Sequence, residues 1–174
     1  ESIDIVSVTT KNDQQYRVMR ETIDAGVKAI FCEKPFTDRV AHARDIVERC
    51  RRRGVILMVD YNRRFDPMHR RLSSLIKKEQ FGHFLGGVVY YSNGFINVGS
   101  HGVDLVTFLC GDVTHVRTVG SGGRLEDPDL DVILTLVGSG RMFVKSIDAD
   151  SYYQFELDAL FERGRLRILH QGTS

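Results

Sequence analysis

Proline and cysteine are scarce in this 174-residue chain, three of each, and charge of neither sign dominates. The 24 Lys and Arg against 23 Asp and Glu give no one-sided basic surface of the kind that binds nucleic acid, so none is expected as a partner. Cys32, Cys50 and Cys110 stand singly, at no metal or redox spacing, and their odd number argues against a disulfide framework. They read as small core hydrophobes in a reducing cytoplasm. No apolar run approaches the roughly 20 residues that span a bilayer, so no membrane partner is expected either. There is no Gly-x-Ser-x-Gly elbow and no phosphate-binding Gly-Lys-Ser/Thr loop. Gly120-Ser121-Gly122-Gly123 lacks the third glycine of a dinucleotide fingerprint and reads as a loop joining strands. His69, His83, His115 and His170 sit at no ligand spacing, which points to no metal. What remains is an ordinary globular composition, 42% apolar and 27% charged, of a size for one domain or two small ones.

Ile3 to Val8 is short and β-branched and reads as a buried strand. Asn12 or Thr10 can cap the helix that follows, in which Val18, Met19 and Ile23 recur at helical spacing until Gly26 stops it. Val27 to Cys32 is a second strand, parallel to the first because a crossover helix joins them. Thr37 caps a longer helix with Asp38 in its first turn and Val40, Ile46, Val47 and Cys50 on one face. Arg49, Arg51, Arg52 and Arg53, the only basic cluster, suit its last turn, with Gly54 just beyond. Val55 to Val59 completes three continuous apolar strands, the pattern of a doubly wound parallel sheet covered on both faces. Because the chain opens directly on a strand, only half of such a sheet is expected. A junction follows at Asp60 to Pro67, and Met68, Leu72, Leu75 and Ile76 mark a helix face. The remainder is mostly strand: 84 to 91, 113 to 120, 131 to 137, 142 to 147, 153 to 160 and 166 to 169, with one helix from about His101 to Leu109. Hairpin turns at Gly138-Ser139-Gly140 and Glu162-Arg163-Gly164 indicate an antiparallel sheet.

Two places could carry chemistry. Glu33 and Lys34 stand at the end of a parallel strand, where open α/β sheets bind ligands, and Pro35 turns the chain sharply there. The bond before Pro35 is a candidate for the cis form. The bland alternative is a solvated ion pair. His101 follows Asn97-Val98-Gly99-Ser100 and opens a helix, where burial and the positive dipole end favour a neutral ring able to exchange protons near neutral pH. The competing reading is a structural histidine.

Four blocks in fixed order resemble the glucose-fructose oxidoreductase and inositol dehydrogenase (Gfo/Idh/MocA) family: Ile3 to Thr10, the Ala25-Gly26 to Phe36 block with its Glu33-Lys34-Pro35, the junction Asp60 to Pro67, and Gly99 to Leu105 with Leu109 to Asp112. The resemblance implies an N-terminally truncated chain with two domains. Residues 1–63 would be the second half of a Rossmann-type sheet, without the glycine-rich first half. Residues 64–174 would be an α+β domain with a mostly antiparallel open sheet and helices on one face. It implies NAD or NADP as cofactor and hydride transfer to or from a hydroxylated carbon of a sugar, nucleotide sugar or cyclitol. Thr9, Thr10, Glu33, Lys34 and Pro35 would line the cofactor site, and Lys34 and His101 would be catalytic. Tyr61, Arg63, Arg64, Asn97 and His101 would face the substrate. The sheet would build a homodimer or homotetramer. Asn97 stands where many members carry an aspartate and can hold no proton, and Lys11 and Tyr16 replace a frequent proline and histidine. A non-catalytic family member, its sheet serving dimerisation or sugar binding, is the alternative; this chain alone is expected to be inactive.

Overall fold

A computed structural model of the chain describes residues 3–169, which leaves His170 outside. The chain divides into two units, residues 1–60 and 61–174. No helix among the described residues is long and apolar enough to cross a membrane.

In the first unit, strands β1 (Ile5–Val8), β2 (Ala29–Cys32) and β3 (Ile56–Val59) are parallel, with β2 in the middle. Register aligns Val6, Ile30 and Leu57, then Val8, Cys32 and Val59, on one face. Against that face pack Met19 and Ile23 of helix α1 (Asn12–Asp24) and Ile46 and Cys50 of helix α2 (Val40–Arg53). Both helices pack against one face, so coverage on both faces is not what this unit shows: Ile5, Ile56 and Met58 on the opposite face are exposed. The strands' two-residue alternation decides which side chains are left out.

The helix starts also differ from expectation. Neither Thr10 nor Asn12 caps α1; Lys11 holds the cap position with no side-chain bond. Helix α2 begins at Val40, after Thr37, whose hydroxyl donates to Arg39 O at 2.9 Å, and Asp38 lies outside it, bonded to His42. Val40 and Val47 are exposed, because the buried arc is narrower than the apolar spacing suggests and centres on Ile46 and Cys50. Burial raises the thiol pKa of Cys32 to about 11 and that of Cys110 to about 12, with Glu33 adding to the former. The arginines of the last turn pair with carboxylates, Arg51 and Arg52 with Glu48 and Arg53 with Asp24.

The second unit begins with a 3-10 turn, Asn62–Phe65, and helix α3 (Pro67–Lys77), capped by Asp66, which accepts from Met68 N and His69 N. Six strands follow: β4 (Phe84–Ser92), β5 (Val113–Gly123), β6 (Pro128–Leu136), β7 (Arg141–Ile147), β8 (Phe155–Phe161) and β9 (Gly164–Ile168). Their order is β5-β6-β7-β4-β8-β9, and every neighbouring pair is antiparallel except β4 with β7. One register row, Val132, Val144, Val89, Leu157 and Ile168, runs buried across five strands. Leu105, Val106 and Leu109 of helix α4 (Ser100–Cys110) complete the core against it. Gly120 to Gly123, expected as a loop, is strand: these residues pair with Asp131, Leu130, Asp129 and Pro128 of β6. Ladder pairing with β6 overrides their turn-like composition.

Tyr91 is fully buried, and its hydroxyl donates to Leu130 O at 2.8 Å while accepting from Leu130 N at 2.7 Å. Burial pushes this phenol's pKa upward. Tyr91→Phe is expected to lower unfolding free energy by about 1–3 kcal/mol, because two main-chain groups lose their partner. Urea denaturation should show a lower midpoint at an unchanged slope; an unmoved midpoint would count against this account.

Candidate functional site

In the first unit, the candidate residues gather at the carboxyl end of the sheet. Glu33 N still bonds Val8 O at 2.9 Å, and Asp60 N bonds Cys32 O at 2.8 Å, so Glu33 and Lys34 leave from the middle strand. The Glu33 carboxylate folds back to accept from Lys34 N at 3.2 Å, and the Lys34–Pro35 bond is cis. Lys34 is half-buried. Gln15, which is 1% exposed, braces this end from α1: its Nε2 donates to Thr10 O at 3.2 Å and Glu33 O at 3.4 Å. Two carbonyl acceptors fix which end of the amide is nitrogen. Gln15 Oε1 and Thr10 Oγ1 are buried without a hydrogen-bond partner. Sequence reasoning missed Gln15, although its spacing from Met19, Thr22 and Ile23 places it on the buried face of α1.

In the second unit, His101 is half-buried near the start of α4, its ring edge-on to Tyr61 with centroids 5.7 Å apart and planes at 85°. Gly102, the next residue, lies against β4: a Cβ there would come within 2.7 Å of Val89 Cγ1, so the absence of a side chain is what lets the helix seat this closely. Burial raises the Tyr61 phenol's pKa, opposed by a hydrogen bond to the Ser100 side chain. The expectation that His101 opens a helix needs correction. A π-helical turn, Phe95–Gly99, runs directly into α4, and Gly99 and Ser100 are both helical, so the first donors of the path lie before His101. The favourable dipole position moves with them.

The junction residues take different parts. Arg63 lays its guanidinium over the Phe155 ring, 4.2 Å from the centroid, and burial lowers its pKa. Its carbonyl bonds Nδ1 of the buried His69 at 3.0 Å. Arg64, expected to face the substrate, is held by a carboxylate: its Nε lies 2.8 and 2.9 Å from the two carboxylate oxygens of Asp104, and its Nη2 reaches Thr107 Oγ1 at 3.3 Å. Arg64 thus ties the 3-10 turn to α4 one turn beyond His101. Asn97 is exposed, and its side chain donates to Asn93 O at 3.3 Å.

Asp104 gives this arrangement a pH signature. Burial raises its carboxyl pKa, and Arg64 only partly offsets that. A carboxyl raised on folding contributes stability that is present below its unfolded pKa and is lost as pH rises through the folded value. Arg64→Met removes the opposing cation, so the variant's deficit should be small at pH 4 and grow to about 1–3 kcal/mol at pH 7. Thermal melts at the two pH values test this; equal deficits would show that the pair is not coupled to Asp104 ionisation.

The sequence model of an oxidoreductase family with an NAD-binding Rossmann fold matches residues 1–61. An inositol 2-dehydrogenase of Mycolicibacterium smegmatis is 43% identical over 81% of this chain and 46% of its own length. A D-apiose dehydrogenase of Paraburkholderia graminis is 29% identical over 97% of this chain and 49% of its own. An aldose-aldose oxidoreductase of Caulobacter crescentus, solved with glycerol, shares the fold with a TM-score of 0.87 at 20% identity, over 98% of this chain and 57% of that one. The chain thus spans about half the length of the curated relatives it matches. With the family sequence model on its three-stranded parallel unit and these relatives along nearly its whole length, the chain belongs to the Gfo/Idh/MocA family of oxidoreductases.

Proposed function

We propose that the protein is a nicotinamide-dependent dehydrogenase acting on a CH–OH group of a sugar, nucleotide sugar or cyclitol. The observation that carries this reading is His101 held edge-on against the half-buried Tyr61 on a helix anchored through Asp104. The relatives' names, inositol and D-apiose dehydrogenase, support the substrate class. NAD or NADP, when bound, supplies the hydride acceptor. Residues at the carboxyl end of the parallel sheet fit its nicotinamide end: Thr9, Thr10, Glu33, Lys34 and Pro35 would hold it, and the orphaned Thr10 hydroxyl is a polar group waiting for a partner at that end.

His101 takes the alcohol proton as general base and returns it in the reverse direction. The Lys34 ammonium stabilises the negative charge that develops on the substrate oxygen. Arg63 and Tyr61 orient the substrate hydroxyls, and Asn97 contributes a neutral hydrogen-bonding group. Arg64 acts through Asp104. Assembly as a homodimer or homotetramer through the six-stranded sheet belongs to the same reading.

Full-length protein assayed with sugars and cyclitols, with each cofactor, should reduce nicotinamide, followed by its absorbance. His101→Ala is expected to lower kcat by about 10²–10⁴-fold, and Lys34→Ala by about 10²–10³-fold. Undiminished turnover in either variant would remove that residue's role, whereas no turnover of the unaltered protein with any of these substrates and either cofactor would favour a non-catalytic family member.

A further inference from the structure

The π-helical turn and α4 form one helical path whose unsatisfied N–H groups lie at its start. Val98 N and Gly99 N reach Gly94 O at 2.9 and 3.1 Å. The two donors just before them converge on a single carboxylate: Ile96 N donates to Asp127 Oδ1 at 2.7 Å, and Asn97 N to Asp127 Oδ2 at 2.9 Å. Asp127 belongs to the turn between β5 and β6, 31 and 30 positions away in sequence. Beside it, Asp129 Oδ1 accepts from Gly94 N at 2.9 Å. Gly94 has φ of +90°, and a Cβ on it would stand 2.1 Å from Asp127 Oδ2, so both backbone and space demand glycine. The Tyr91–Leu130 pair ties the same stretch of β6 to the end of β4.

A carboxylate suits this place for two reasons. Its two oxygens serve two adjacent N–H groups at once, and its charge meets the positive end of the helical path, where charge-assisted bonds are stronger than neutral ones. We propose that Asp127 is a positioning residue for the proton-transferring group: by gripping the turn that carries Asn97 and leads into Ser100 and His101, it sets where the imidazole stands. The proposal rests on the reading of His101 given above. It makes the β5–β6 turn part of the site's construction, although that turn carries no residue of the junction or the Glu33-Lys34-Pro35 block.

Amide exchange followed by NMR on the 174-residue chain tests the grip without any turnover. Asp127→Ala should speed exchange at Ile96 and Asn97 by about tenfold or more while leaving Leu157 in β8 unchanged. Asp127→Asn, which keeps one acceptor oxygen, should give a smaller increase and stands in if the alanine variant fails to fold. In the full-length protein, the alanine variant should lose about ten- to a hundredfold in kcat at a constant KM for the nicotinamide cofactor, with the asparagine variant recovering part. Unchanged exchange at both amides overturns the grip, and faster exchange with wild-type kcat overturns the positioning role. Turnover that survives His101→Ala in an otherwise unaltered chain overturns the reading of His101 instead, while the exchange result still decides the grip.

Discussion

A carboxylate drawn into a half-buried setting needs a cation, and Asp104 obtains one from Arg64, 40 residues earlier in the chain. The position of α4 follows from that need. With the helix anchored at Asp104 and seated on Val89 at Gly102, His101 has little freedom along or around the helix axis, and Tyr61, three residues ahead of Arg64, meets its ring. The ion pair therefore does for the second unit what the Gln15 brace does for the first: each links a segment carrying a candidate residue to a rigid element behind it. Both braces are polar, and each reaches a partner distant in sequence, Glu33 for Gln15 and Asp104 for Arg64.

That distance explains what the sequence could and could not disclose. The strands were legible because each is a short apolar run closed by glycine or polar residues, and Asp66-Pro67 marked a helix start whose cap and first turn are neighbours in sequence. The π-helical turn that leads into α4 was not legible, because the acceptor at its start, Asp127, comes from a hairpin 30 residues downstream and no local pattern announces it. Val40 and Val47 misled for a related reason: helical spacing shows that an apolar arc exists, while the neighbouring elements decide how wide a part of it is covered. Gly120 to Gly123 has the composition of a loop and the partners of a strand. Lys34 and His101 stood out through the order of family motifs, whereas Gln15 and Asp127, whose work is done on backbone groups, carry no motif at all.

The two units also differ in how they are enclosed. The six-stranded sheet buries a continuous row across five of its strands under α4. The three-stranded sheet covers one face with two helices and leaves Ile5, Ile56 and Met58 open on the other.

The central place of β4 has a consequence for how the second unit assembles. Its neighbours are β7 and β8, so β4 emerges from synthesis with both edges unpaired, has no partner for one until the chain has passed Ile147, and has none for the other until it has reached Phe155 and beyond. The β5–β6–β7 meander and the β8–β9 hairpin can close locally, but the sheet becomes one only when both dock on β4 across long connections. Loop-closure entropy opposes that step until the buried row forms. The slowest event in folding this unit should thus be the docking of two preformed ribbons onto a waiting strand, and β4, rich in Val and Tyr, is the segment most open to pairing with the wrong partner in the interval.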